Sequence, residues 1–202
     1  MDLITILFGI VVVLFSIVLH EVSHGVMANS LGDSTAKNLG RLTLNPFKHL
    51  DLFGSVILPL LTFFVGGFIF GYAKPVPYNP ANLRDRKYGP AKVAFAGPMV
   101  NIIIAVLFGL ILRFLPVSLE ATALPRLLSI IVSFNLLLAV FNLIPIPPLD
   151  GHWLLLTFLP ARFAAFKVFL LRYGLVLFFI FLIFLFPIIV PLINFLFRVI
   201  VG

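Results

Sequence analysis

The amino-acid sequence predicts an all-α polytopic membrane protein, a bundle of about five to six transmembrane or re-entrant helices with a small membrane-associated β element. Of its 202 residues, 62% are hydrophobic and only 10% are charged, and the mean hydropathy is +1.22. A soluble domain of this length does not need so much apolar surface. Because no loop exceeds about 25 residues, we expect residues 1–202 to form a single integral membrane domain.

Long apolar runs predict where the helices lie. They occupy about 3–29, 53–72, 91–115, 126–147 and 168–186, and a shorter run bounded by prolines follows at about 188–201. A helix needs about 20 mainly apolar residues to cross the hydrocarbon core of a bilayer. The first run lacks the basic start and the small-residue cleavage site of a signal peptide, so we expect a retained helix.

Two connecting segments have no helical pattern. Apolar and polar residues alternate over 39–44, which favours a short strand ending at Asn45-Pro46. The segment 70–80 contains three prolines and is predicted to be extended, in a loop or at a sheet edge, because proline has no N–H. Either segment could pair with an extended substrate peptide, although a connecting loop is the simpler interpretation.

The first apolar run contains an H-E-x-x-H motif formed by His20, Glu21 and His24. Two histidines four residues apart project from one face of a helix, so both imidazoles can bind one Zn²⁺. The glutamate between them can act on a metal-bound water. Ionisable residues in a membrane helix are costly and usually functional, so the motif predicts an intramembrane zinc site.

A catalytic zinc needs a third protein ligand, and the sequence offers Asp150. The chain has no cysteine, and the other acidic residues are terminal, lie in loops or belong to the motif. Asp150 follows the prolines that end the run 126–147, and Gly151 permits a tight turn that would aim the carboxylate back into the membrane. Aspartate after prolines is also ordinary turn chemistry, so the pattern alone leaves a water-facing side chain as the alternative.

Three motifs in this order resemble the site-2 protease family of intramembrane zinc metalloproteases. They are residues 20–24, the segment 96–101 (Ala-Gly-Pro-Met-Val-Asn) and the segment 142–151. The resemblance implies that His20, His24 and Asp150 bind one Zn²⁺ per chain, that Glu21 is catalytic, and that Asn142 lies beside the metal-bound water or the scissile carbonyl. It also implies a compact member without a PDZ or CBS domain.

One residue departs from the family pattern. Many members have a second glycine after the Asp-Gly pair, whereas His152 stands there in this chain. His152 could orient a ligand or replace Asp150 as a ligand. Asn101 and Asn135, by contrast, are interpreted as residues that hydrogen-bond neighbouring helices, and Gly97 as one that allows close helix packing.

The expected function is hydrolysis of peptide bonds in or near transmembrane segments, by a zinc-bound water that Glu21 deprotonates. The expected partners are a transmembrane or membrane-associated peptide and the lipid bilayer, with no nucleic acid, because the 14 Lys and Arg are scattered over short loops.

The alternative is a non-proteolytic membrane metal-binding protein, either a metal transporter or an inactive protease-like scaffold. A transporter is expected to carry ligands on several helices along a path, or repeats.

The ligand positions constrain the topology. His20 and His24 lie near the end of the first helix, and Asp150 follows the end of the run 126–147, so both helices must cross in the same direction. The run 53–72, which contains Pro59 and the pair Gly66-Gly67, is therefore predicted to be re-entrant. Most positive residues then lie on one side of the membrane, which the positive-inside rule makes cytoplasmic, and Arg113 and Arg126 lie on the opposite side. The residues on the cytoplasmic side are Lys37, Arg41, Lys48, Lys74, Arg84, Arg86, Lys87, Lys92, Arg162, Lys167 and Arg172. We therefore expect an integral protein of the cell (inner) membrane with its zinc nearer the cytoplasmic side.

Overall fold

Helices dominate the computed structural model, which describes residues 2–66 and 71–202. Within these ranges, four helices are long and apolar enough to cross a membrane, and two shorter apolar helices cover Phe53–Phe64 and Pro187–Val201. The four are Leu3–Ser30, Gly89–Arg113, Leu124–Asn142 and Ala161–Phe184. The α-helices in chain order are α1 (Leu3–Ser30), α2 (Thr35–Asn38), α3 (Leu58–Gly66), α4 (Gly89–Arg113), α5 (Val117–Glu120), α6 (Leu124–Asn142), α7 (Gly151–Phe158), α8 (Ala164–Ile180) and α9 (Phe186–Val201). The predicted helical class is confirmed, and the number of membrane crossings stays a prediction.

The three helices α1, α4 and α6 pack side by side. His20 of α1 contacts Asn101 of α4. His24 lies one turn later in α1, and it contacts Val93, which lies two turns earlier in α4. The chains of α1 and α4 are therefore antiparallel. Since α4 is also antiparallel to α6, α1 and α6 run in the same direction, as the expected ligand positions require.

An apolar cluster joins this core to the C-terminal helix. Ala105 of α4, Val132 and Leu136 of α6, and Ile189 and Ile193 of α9 are all buried in it. Gly109 lets Ile200 approach α4 so closely that a β-carbon would overlap it. Large apolar side chains elsewhere on the spanning helices face outward, as is normal for a protein whose solvent is lipid.

The predicted β element is wrong. No residue in 2–66 or 71–202 forms a strand, and residues 41–45 and 71–79 are irregular. The two segments do approach each other, but through side chains: Arg41 Nη2 donates to the carbonyls of Lys74 and Pro75, at 3.0 and 3.3 Å. Pro75 and Pro77 have no N–H, so this stretch cannot supply the regular donors of a β ladder.

The segment after α2 returns to its own start. It enters a π-helical turn at Phe53–Ile57, continues into α3, and comes back so that Tyr72 N donates to Gly54 O at 3.0 Å. The Lys74 N–H donates to His49 O at 2.8 Å just beyond. Gly67, one of the predicted helix breakers, lies outside the described residues. This folding back agrees with a re-entrant segment, whose depth in the membrane stays a prediction.

Candidate metal centre

Helix α1 supplies two of the three predicted metal ligands. His20 and His24 are both buried, and their ring centroids lie 4.7 Å apart. One helical turn separates them, so they share the face of α1 that packs on α4. The helix therefore presents two imidazoles to one point inside the bundle.

The break after α6 supplies the third ligand. Helix α6 ends at Asn142, and a proline-rich turn leads to Asp150 at the start of α7. Asp150 Oδ2 lies 3.0 Å from His20 Nε2 and 3.2 Å from His24 Nε2. The ligand atoms of these three residues all lie within 4.8 Å of one another. A β-carbon at Gly151 would overlap the backbone of Leu143, so this glycine allows the tight return of the chain.

Hydrogen bonds on the far side of each imidazole fix its orientation. His20 Nδ1 lies 2.6 Å from Asn101 Oδ1, and Asn101 Nδ2 donates to Asn135 Oδ1 at 2.8 Å and to Ser16 O at 3.3 Å. Because the Asn101 nitrogen already donates twice, its oxygen faces His20, and His20 Nδ1 must carry the proton. His24 Nδ1 likewise donates to Val93 O at 2.7 Å. Each Nε2 therefore directs a lone pair toward the site.

Gly97 of α4 keeps the space beside these lone pairs open. A β-carbon there would lie 2.6 Å from His20 Nε2 and 2.5 Å from His24 Nε2. The glycine thus does more than allow helix packing, since an alanine methyl would fill the place of a metal. Two neutral imidazoles and a carboxylate around such a space are a donor set typical of catalytic zinc. These residues therefore fit the zinc that the sequence predicts.

Glu21 lies beside the ligands and contacts a segment that we call the strap, residues 71–79. Glu21 Oε2 accepts a hydrogen bond of 2.8 Å from Val76 N. Val76 itself is buried against Gly25, where a β-carbon would lie 2.7 Å from Val76 Cγ1. Sequence reasoning missed this contact because its donor is a backbone N–H, which no side-chain pattern reveals.

Asp33 anchors the end of the strap. This fully buried carboxylate accepts from Asn79 N at 2.6 Å, from Asn82 Nδ2 at 2.9 Å and from the Thr35 hydroxyl at 2.5 Å. Burial alone would raise the pKa of Asp33, but the hydrogen bonds from Thr35, Asn82 and Asn79 outweigh it, so the pKa is lowered below its usual 3.8. Tyr78, near this end of the strap, keeps its proton, because burial and the negative charge of Asp150 raise its pKa to about 12.

Two other predicted residues contact backbone carbonyls and do not join the ligands. Asn142 is the last residue of α6, and its side-chain nitrogen donates to Leu138 O at 2.9 Å. His152 is buried, and its Nδ1 lies 2.6 Å from Leu149 O. Burial lowers the pKa of His152 and favours the neutral ring. Within the described ranges, the group able to hold a metal comprises His20, His24 and Asp150, without His152.

A family model described as "Peptidase family M50" matches the sequence of the chain over residues 8–122 and 116–185. The chain belongs to peptidase family M50. The resemblance to site-2 proteases is thereby confirmed, and with its four long apolar helices this M50 chain is an integral membrane protein.

Curated relatives carry metalloprotease names. The chain is 38% identical over 149 residues to "Putative zinc metalloprotease YwhC" of Bacillus subtilis, an alignment that covers 71% of the chain and 65% of the relative. It is 32% identical over 140 residues to "Putative zinc metalloprotease Rip2" of Mycolicibacterium smegmatis, covering 69% of the chain and 52% of the relative. The chain therefore spans between about half and two thirds of the length of these relatives. No solved structure is significantly similar to it.

Proposed function

We propose that this M50 chain is an intramembrane zinc endopeptidase that hydrolyses peptide bonds in or near transmembrane segments of membrane proteins. The observation that carries the proposal is the convergence of His20, His24 and Asp150 beside Glu21, inside a bundle of apolar helices. The metalloprotease names of the relatives support it. One zinc ion per chain is expected.

The residues divide the chemistry between them. A zinc ion bound by His20, His24 and Asp150 would supply a Lewis acid that polarises a peptide carbonyl and lowers the pKa of a water. Glu21 accepts the proton of the attacking water and delivers it to the leaving amine nitrogen. The Val76 N–H holds the Glu21 carboxylate in place for both transfers.

Asn142 is proposed as a donor to the oxygen that becomes negative during attack. Its side-chain nitrogen donates to Leu138 O, so this role requires the amide to turn toward the substrate. A helical substrate must also unwind locally, because its amides are hidden in hydrogen bonds along the helix. The expected substrate is therefore a transmembrane segment that opens easily.

Replacement of Glu21 tests the proposal. Glu21→Gln should keep the zinc content and abolish cleavage of a reporter transmembrane peptide in liposomes, because an amide cannot accept the proton. The chain has one other glutamate, the exposed Glu120, and Glu120→Gln is the matched control that should cleave normally. Zinc-dependent cleavage by Glu21→Gln would refute the role of Glu21. A wild-type protein that binds zinc and cleaves no transmembrane peptide would favour the transporter or scaffold alternative.

A further inference from the structure

A cavity lies apart from the metal-binding residues, between the start of α4, the helix α7 and the start of the last spanning helix. It has a volume of about 550 Å³. Trp153, Leu156 and Phe158 of α7 form its apolar wall. None of the residues assigned to metal binding or catalysis lines it.

Three cations converge on this cavity. Arg86 and Lys87 line it from the loop before α4, and Lys167 lines it from α8. Lys167 Nζ donates to Leu156 O at 2.8 Å, which holds the ammonium at the cavity wall. The lining also includes the hydroxyl-bearing Thr157 and, among the residues that the structure describes, no carboxylate.

The acidic residue that precedes Arg86 in the sequence is already paired. Asp85 accepts a hydrogen bond of 2.9 Å from Lys92, a residue that does not line the cavity. The pKa of Lys87 is raised, mainly by its side-chain hydrogen bond with Tyr88 and to a lesser extent by the charge of Asp85. Among the described residues, no ion pair involves Arg86 or Lys167. The cavity therefore has an excess of positive charge.

The position of the cavity matches the headgroup level of a bilayer. The spanning helices Gly89–Arg113 and Ala161–Phe184 both begin beside it. Tryptophan side chains are enriched at this level, where an apolar ring can lie next to polar groups. A ligand here would have its polar part against the cations and its apolar part along the outward-facing helix surface.

We infer that this cavity, formed by Arg86, Lys87, Lys167 and Trp153, binds the phosphate-containing headgroup of an anionic phospholipid. A phosphodiester offers acceptors to all three cations. A zwitterionic lipid fits less well, because none of the described lining residues offers a carboxylate to its ammonium group. Basic pockets beside the ends of spanning helices are a recognised kind of site for anionic headgroups.

Trp153 provides the test, because it is the only tryptophan in the chain and it lines the cavity. The full-length protein is reconstituted in equal mixtures of phosphatidylglycerol and phosphatidylcholine, with brominated acyl chains on one lipid or the other. Bromine quenches tryptophan fluorescence on contact. Brominated phosphatidylglycerol should quench Trp153 more strongly than brominated phosphatidylcholine does at the same fraction. Equal quenching by the two lipids would overturn the proposal.

Two double variants separate the cavity from general surface charge. Arg86→Gln/Lys87→Gln replaces exposed loop residues and should lower the preference for the anionic lipid, by about fivefold for each cation removed. Lys37→Gln/Lys48→Gln removes the same charge from exposed positions outside the cavity and should leave the preference unchanged. Equal losses in the two variants would assign the effect to surface attraction and refute the site.

A third arm separates a lipid from a soluble phosphate. Inorganic phosphate added at constant ionic strength should not relieve the quenching by brominated phosphatidylglycerol. Relief of quenching would show that the cavity takes free phosphate instead of the lipid headgroup, which contradicts the proposal. Lys167→Gln, measured in parallel with its unfolding temperature, checks the cation on α8 and should also lower the lipid preference.

Discussion

Asn101 determines which nitrogen of His20 faces the metal site. Its own orientation is fixed by Asn135 and Ser16, so three buried polar residues on α1, α4 and α6 act together on one imidazole. The sequence indicated that Asn101 and Asn135 bond neighbouring helices, and the structure confirms that part. It adds the contact with His20, which becomes visible only when the antiparallel packing of α1 and α4 is known.

Replacement of Asn101 should weaken zinc binding. Asn101→Leu removes the acceptor for His20 Nδ1 and should lower zinc affinity about 10- to 100-fold, the usual effect of losing such a partner. Asn101→Asp keeps the acceptor and should recover most of the affinity. Competition with a chromophoric zinc chelator measures both.

Asn135→Leu is the matched control for that experiment. Asn135 is equally buried but does not contact a ligand, and Asn101 Nδ2 would still donate to Ser16 O. Its affinity should therefore fall less than that of Asn101→Leu. Equal losses for the two leucine variants would mean that Asn101 acts only by holding the helices together.

At the scale of elements, two carboxylates hold the strap. Its middle is bonded to Glu21 of α1, and its end is bonded to Asp33, just after α1. The strap has no regular secondary structure. These two hydrogen bonds therefore fix its position, as the backbone hydrogen bonds of a β-sheet would fix a strand. The position of Glu21 is consequently coupled to the ionisation of Asp33.

This coupling predicts a dependence of stability on pH. The folded state lowers the pKa of Asp33, so the charged carboxylate stabilises the protein fully above the ordinary pKa, and this contribution is lost as the pH falls through the lowered value. Asp33→Asn should cost about 1–3 kcal/mol at pH 7, because an amide cannot accept all of these hydrogen bonds. The variant should also lose less stability than the wild type between about pH 5 and pH 3.

Thermal unfolding in detergent, followed by Trp153 fluorescence, measures both effects. Glu120→Gln changes an exposed carboxylate and should unfold as the wild type does at each pH. If Asp33→Asn lost as much stability as the wild type on acidification, the ionised Asp33 would not stabilise the folded state as expected.

The folded-back segment before the strap makes a prediction about topology. Residues 48 and 84 lie on either side of it, so both should be accessible from the cytoplasm if the segment does not cross the membrane. Because the chain has no native cysteine, Lys48→Cys and Arg84→Cys can be labelled singly in cells and in inverted vesicles. Glu120→Cys, in the connection between α4 and α6, should react from the opposite side. Labelling of residues 48 and 84 from different sides would contradict this topology.

For the whole molecule, much of the fold and most of the candidate site follow from local patterns. Apolar runs mark the helices, and the spacing of His20 and His24 predicts two ligands on one face. A local pattern is not enough to predict Asp150 as the third ligand, because its role depends on α1 and α6 running in the same direction. The prediction of a strand was wrong because alternation over 39–44 does not show which segment could pair with it. The neighbouring segment contains Pro75 and Pro77, which cannot donate backbone hydrogen bonds. The Val76 contact depends on a backbone N–H and was beyond the reach of any side-chain pattern.

The central claim is that His20, His24 and Asp150 hold one zinc ion. The absence of cysteine from the chain makes a direct test possible: in Asp150→Cys, the only thiolate in the chain stands at the position of the third ligand. X-ray absorption at the zinc edge should then detect a sulfur neighbour at about 2.3 Å in this variant. His152→Cys, loaded with zinc to the same content, should show only nitrogen and oxygen neighbours. Zinc bound without sulfur in Asp150→Cys, or with sulfur in His152→Cys, would contradict the ligand set.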